Sequence, residues 1–176
     1  YDIIYISDTK GKIIRKIELK KLDGANYPKF SKDDKFIAFI GLKDGKQDVY
    51  LYNLKTNVLR RLTNDYFNDL FPTFDEEGNI YFISDRHESI YNFGNYAVFK
   101  YDIKNDSIYQ ITPYFGKIHY FDLRNGNPVL SLEHKGTINV FEYKNNKLYI
   151  LTNFPSAVYS FMKEQEKFSM CLKLEF

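Results

Sequence analysis

The chain has 176 residues, enough for one domain with a real core or two small ones at most. Its 25 Lys and Arg against 23 Asp and Glu leave a formal charge of +2, which excludes a polybasic nucleic-acid arm and an acidic tail. No window approaches eighteen uninterrupted apolar residues, so no membrane-spanning helix is expected, and 16 Tyr and 16 Phe with no Trp favour pleated, half-buried β-structure.

The first element in chain order, residues 2–17, matches the second hairpin of a unit whose first hairpin is missing from the chain. It follows Tyr1 rather than Met and no basic-then-apolar leader, as a processed or excised piece would. Tyr27-Pro28-Lys29-Phe30 then leads through the turn Ser31-Lys32-Asp33-Asp34-Lys35 into Phe36-Ile37-Ala38-Phe39. A second hairpin comes after it, residues 48–54 and 58–63 around Lys55-Thr56-Asn57. The same order recurs 44 positions on, with Phe71-Pro72-Thr73-Phe74, the turn Asp75-Glu76-Glu77-Gly78, residues 80–84, and a hairpin over 97–112. A weaker third copy starts at His119-Tyr120-Phe121, with His119 in place of Pro, and closes with a hairpin over 138–152. Thr63, Thr112 and Thr152 end the three units. Asn and Asp crowd the turns because their side chains bond nearby backbone and tolerate left-handed conformations. Val49, Leu51 and Val98 fall on one face of their strands, and Tyr50, Tyr52 and Tyr101 on the other. The chain ends with residues 157–161, a charged turn, and 168–172, which match a first hairpin without its second.

Four short strands per unit at this period predict an all-β chain folded as a β-propeller. Three complete four-stranded blades are expected at 23–65, 66–113 and 114–154, with half blades at 1–22 and 155–176. The halves either join into a small ring of four or belong to a larger ring, the reading preferred for a chain that starts at Tyr1. Pairing of residues 2–6 with 168–172 would mark the small ring. A helical solenoid lacks its apolar stripe here, and a two-layer sandwich would not predict a Pro-x-Phe repeated at blade period.

Pro28-x-Phe30-Ser31-x-Asp33, Asp48-Val49-Tyr50-Leu51-Tyr52 and Arg60-Arg61-Leu62-Thr63 resemble the TolB-type (WD40-like) propeller repeat. So does Pro72-x-Phe74-Asp75 with Gly78-Asn79-Ile80-Tyr81-Phe82-Ile83-Ser84-Asp85-Arg86, and the likeness runs from about residue 2 to 152. The turn at Asp33-Asp34 lacks the family's Gly. The resemblance implies an extracytoplasmic, periplasmic-type location and a scaffold that binds a protein or peptide partner. Its alternative is the substrate-gating propeller of a multidomain peptidase whose catalytic domain is not in this chain.

Site chemistry is sparse. His87, His119 and His134 lie outside metal-ligand spacing of one another and of Cys171, so no metal or cofactor is expected. No Gly-x-Ser-x-Gly and no phosphate-cradling Gly-rich loop occurs, and no catalytic residue is assigned. Asp85-Arg86-His87-Glu88 is the densest polar cluster and is expected to be a turn that satisfies backbone and neighbouring blades. Interspersed acids argue against nucleic acid. The alternation Phe168, Met170, Leu172, Leu174, Phe176 is similar to the closing strand of outer-membrane barrels, but an ordinary propeller strand and no membrane insertion are expected. The middle unit carries an insertion over residues 87–96. Its Tyr91, Phe93, Asn95 and Tyr96 are the candidate binding residues, since rigid aromatics and adaptable Asn suit a recognition loop.

Overall fold

The structure, a computed structural model, describes residues 2–87, 94–134, 136–153, 160–164 and 167–171. It opens on an antiparallel hairpin of β1 (Asp2–Ser7) and β2 (Ile13–Leu19). The first four-stranded sheet comprises β3 (Gly24–Phe30), β4 (Phe36–Lys43), β5 (Lys46–Asn53) and β6 (Leu59–Arg61). The second comprises β7 (Asp69–Phe74), β8 (Ile80–Ser84), β9 (Ala97–Asp102) and β10 (Ser107–Gln110). β11 (Ile118–Arg124), β12 (Asn127–His134), β13 (Thr137–Lys144) and β14 (Lys147–Ile150) make the third. A last hairpin, β15 (Ser160–Glu164) with β16 (Lys167–Cys171), is a sheet of its own, separate from β1–β2. Each sheet is an antiparallel meander in chain order, and no helix among the described residues is long and apolar enough to cross a membrane.

The repeated threonines have a structural job. Thr63 Oγ1 accepts the Val49 N–H (2.8 Å), Thr112 Oγ1 that of Val98 (3.0 Å) and Thr152 Oγ1 that of Val140 (2.9 Å). The residue before each threonine donates its N–H to the same valine's carbonyl, at 2.8 Å in all three units. A short fourth strand is thereby locked to the third where its ladder ends. These valines fix equivalent positions across the sheets, because Val49 pairs with Ile40, Val98 with Ile83 and Val140 with Ser131.

Packing follows the alternation. Val49 and Leu51 join Ile80, Phe82 and Phe99 in a core between the first and second sheets, and Val98 joins Phe121, Leu130 and Phe141 between the second and third. Tyr50 and Tyr52 turn the other way, onto Ile17, Leu19 and Leu22, as Tyr101 does onto the first sheet. So the third strands of the first two sheets send their valines to the following sheet and their tyrosines to the preceding one, which is blade stacking. The tyrosine hydroxyls are clasped rather than merely wet. Tyr52 Oη donates to Asn57 Oδ1 (2.9 Å), which also accepts Arg15 Nη2 (2.5 Å). Arg60 repeats the pattern one sheet on, donating to Tyr101 Oη (2.8 Å) and Asp106 Oδ1 (2.7 Å).

Two turns rest on left-handed residues. The connection between β4 and β5 is just Asp44-Gly45 (φ 51° and 75°), because Lys43 pairs with Lys46. Two left-handed residues match the twist of the flanking strands, and Asp-Gly is the favoured pair for it. The turn that lacks glycine puts Asp34 at φ 54°, where the second unit has Gly78 at 86°.

Gly41 is held by packing rather than by its dihedral. A Cβ there would lie 2.5 and 2.6 Å from the Tyr50 ring and 3.0 Å from Leu22 Cδ1. The Tyr50 ring cannot retreat, since it is 4% exposed and stacked on Phe39 at 5.7 Å. Gly41→Ala is therefore expected to cost about 1–3 kcal/mol in urea unfolding. An unchanged midpoint would mean that Tyr50 does not pack there.

Candidate functional site

The first strands of the sheets converge, and their meeting place carries the molecule's least ordinary backbone. In β3 the register slips between Asn26 and Lys29, setting both Tyr27 and Pro28 against Phe39. In β7 it slips between Leu70 and Thr73, setting Phe71 and Pro72 against Phe82. These are β-bulges on edge strands, one of the few places where a sheet tolerates proline. The aromatic before each proline adopts a left-handed conformation, φ 55° at Tyr27 and 51° at Phe71. Such a backbone costs on the order of 1–3 kcal/mol for a bulky residue and persists only where its surroundings over-determine it. In β11 the slip falls at His119, between Ile118 and Tyr120.

The bulges bring three rings into a row. Tyr27 and Phe71 have centroids 4.4 Å apart, and Phe71 and Tyr120 are 5.3 Å apart, tilted by 54° and 55°. These distances and tilts suit attractive aromatic pairs. Tyr27 is 43% exposed and its neighbour Phe30 49%, so the row is open at the β3 end.

Beside the rings lies a polar triad. Counted from the anchoring valines, Lys29 opposite Ala38, Thr73 opposite Tyr81 and Asp122 opposite Val129 are equivalent positions. Lys29 Nζ donates to Asp122 Oδ2 at 3.2 Å, spanning from the first sheet to the third, and Thr73 Oγ1 donates to Asp122 Oδ1 at 3.0 Å. Burial alone would lower the pKa of the Lys29 ammonium, but the Asp122 carboxylate and Tyr120 outweigh it and hold it above the ordinary lysine value. The site thus presents three aromatic faces, one retained cation and one anion. It offers stacking and charge-assisted hydrogen bonds.

The sequence did not single these residues out. The repeated aromatic before Pro was a legible signal for Tyr27 and Phe71. Asp122 was hidden, because the earlier bulge at His119 shifts it out of step with Lys29 and Thr73 in a plain alignment.

Of the four residues expected to bind, Tyr91 and Phe93 lie outside the described residues. Asn95 and Tyr96 are half-buried. Tyr96 donates its N–H to Gly116 O (2.9 Å), accepts from Phe115 N (3.1 Å), and packs against the core between the second and third sheets. Burial, then the nearby Asp85 charge, raises the Tyr96 hydroxyl above its usual pKa. Tyr96 and Phe71 of the aromatic row pack against the same core, between the second and third sheets.

Asp85 and Arg86, expected in a turn, follow β8 and are satisfied by backbone and side chains nearby. Asp85 accepts from Asn68 N (2.7 Å) and Nδ2 (3.0 Å). Arg86 forks onto buried Asp69 at 2.9 and 3.1 Å and reaches Asp65 at 3.3 Å. The acidic turn of the second unit is self-satisfied, with Asp75 Oδ1 accepting from Glu77 N (2.9 Å) and Asn79 N (2.8 Å). Among the described residues no cluster of three His, Cys, Asp or Glu is arranged to hold a metal.

No family model and no curated protein matches the chain by sequence. Solved structures do match. TolB from Acinetobacter baumannii is 24% identical with a TM-score of 0.62, over 82% of this chain and 36% of that one. A putative TolB from Agrobacterium tumefaciens is 17% identical with a TM-score of 0.63, over 80% of this chain and 52% of that one. Puromycin hydrolase is 11% identical with a TM-score of 0.68, over 89% of this chain and 26% of that one. The chain therefore has the β-propeller fold of the TolB structures and spans about a third to a half of their length.

Proposed function

We propose that this chain is a non-catalytic propeller segment that binds a protein or peptide partner, as a module of a larger exported or envelope-associated protein in an extracytoplasmic compartment. The observation that carries this reading is the aromatic row Tyr27–Phe71–Tyr120 beside the Lys29–Asp122 pair, held in place by two left-handed aromatics. Strained residues that line up two half-buried rings behind an exposed one, Tyr27, serve binding better than packing. Rings with a cation and an anion beside them fit a polypeptide, which offers apolar side chains and groups of both signs. The two half blades are assigned to a larger ring, and the loop that carries Tyr91 and Phe93 is a second contact region. Location follows from the resemblance to TolB-type repeats.

Selection of displayed random peptides on the 176-residue chain tests this directly. Tyr27→Ala with Tyr120→Ala is expected to weaken the selected peptides about tenfold or more, a loss of about 1.4 kcal/mol, with the amide spectrum still dispersed. Tyr91→Ala with Phe93→Ala is expected to weaken them less. Peptides that bind the Tyr27/Tyr120 variant as well as the parent would overturn the site. A second reading, the gating propeller of a larger hydrolase, draws on the likeness to puromycin hydrolase. A hydrolase domain in the same reading frame would favour it.

A further inference from the structure

A cleft of about 680 Å³ opens between the first and second sheets, at the end where β3 turns into β4 and β7 into β8. Its floor is the outer margin of the core between those sheets: Phe36, Leu51, Phe74 and Ile103. Val58, 58% exposed, stands at its rim. A volume of this size with an apolar floor and a few polar groups around it is typical of ligand sites. It shares no lining residue with the aromatic row.

The rim carries charge unevenly. The β7–β8 turn contributes three consecutive carboxylates, Asp75, Glu76 and Glu77. Asp75 is consumed by its own turn and by Lys100 (3.5 Å). Among the described residues Glu76 is held by an ion pair to Lys32 in which both side chains are about three-quarters exposed, at 72% and 75%. Such a surface pair is weak and readily exchanged. Of the other cations lining the cleft, Arg60 is engaged by Tyr101 and Asp106, and Lys104 lines the side formed by the β9–β10 turn. Asp33 on the facing turn is paired with Lys35 and drawn down to about 2 by Lys35 and Ser31. On the β7–β8 side the wall offers an incoming cation Glu76 and Glu77, the latter held only weakly by Asn79 Nδ2 at 3.4 Å.

We infer that this cleft docks a short peptide segment that presents a bulky apolar side chain next to a lysine or arginine. The apolar side chain lies on Phe36, Leu51, Phe74 and Ile103. The cationic head displaces Lys32 from Glu76 and bonds the carboxylates of the β7–β8 turn. An acidic neighbour in the peptide meets the same wall with repulsion, so sequence preference arises from charge as well as fit.

The test is an NMR titration of the 15N-labelled 176-residue chain with acetyl-Phe-Arg-amide. Amide shifts are expected at Lys32, Phe36, Phe74, Glu76 to Gly78 and Ile103, with a dissociation constant on the order of 1 mM. Acetyl-Ala-Arg-amide and acetyl-Phe-Glu-amide are expected to bind about threefold or more weaker. Glu76→Gln with Glu77→Gln, both exposed and therefore safe for the fold, should cost about threefold for the Phe-Arg peptide and erase its advantage over Phe-Glu. Tyr27→Ala should leave this binding unchanged, which separates it from the site on the first strands. Shifts centred on Tyr27, Phe71 and Tyr120, equal binding of all three peptides, or no shift would each overturn the inference.

Discussion

Truncating Phe82 to alanine is expected to cost about 3–5 kcal/mol, a large fraction of the about 5–15 kcal/mol that holds an ordinary domain. Phe82 is fully buried in the core between the first and second sheets, its ring 6.1 Å from that of Phe99. In the β7–β8 register it lies opposite the Phe71-Pro72 bulge. The equivalent pair one sheet earlier, Phe39 with Tyr50 at 5.7 Å, shows that this stack belongs to the repeat. Phe30→Ala is the comparison, because Phe30 is 49% exposed and should cost under about 1 kcal/mol. Urea unfolding of both variants decides the matter. If they lose equal stability, the core does not lie between the sheets.

Arg86→Ala is expected to be nearly as damaging at pH 8 and clearly milder at pH 5. The guanidinium is the main charge partner of Asp69, whose side chain is fully buried, and it also packs 5.2 Å from the Phe82 and Phe99 ring centres. Removing one partner of a buried pair typically costs about 3–5 kcal/mol, because a charge is left without compensation. Burial already pushes the Asp69 carboxyl up to about 6, against the pull of Arg86 and of hydrogen bonds from Ser84 and Thr63. A folded pKa raised above that of the unfolded chain means a contribution fully present below about pH 4 and lost as pH rises through 6. Without Arg86 the carboxyl rises further and is protonated over more of that window. The variant's deficit should therefore grow from pH 5 to pH 8, and Asp69→Asn in the Arg86→Ala background should flatten it. A deficit independent of pH would show that Arg86 acts only through its packing on the rings.

The fold was legible wherever one residue type answers one physical need. Thr63, Thr112 and Thr152 recur because a hydroxyl must take the third strand's N–H just where its pairing with the fourth strand ends. Val49 and Val98 against Tyr52 and Tyr101 sort the two faces, since each third strand is buried on both sides by different sheets. What stayed hidden depends on register and conformation, which spacing does not encode. Asp34 stands in for a turn glycine because aspartate tolerates the left-handed region. Asp122 meets Lys29 only once the bulge at His119 is counted. The cleft over Phe36 and Phe74 is invisible in sequence, where both look like ordinary core aromatics. The insertion attracted notice by its length and its rings, and its described stem, Tyr96, turns out to tie it to Gly116 and Phe115.

Proton–proton contacts among the rings of Tyr27, Phe71 and Tyr120 test the converging first strands most directly. With centroids at 4.4 and 5.3 Å, NOE cross-peaks from Phe71 to both tyrosines are expected in the 176-residue chain. Their absence, with Phe71 showing contacts only inside its own sheet, would contradict the radial arrangement and with it the binding face.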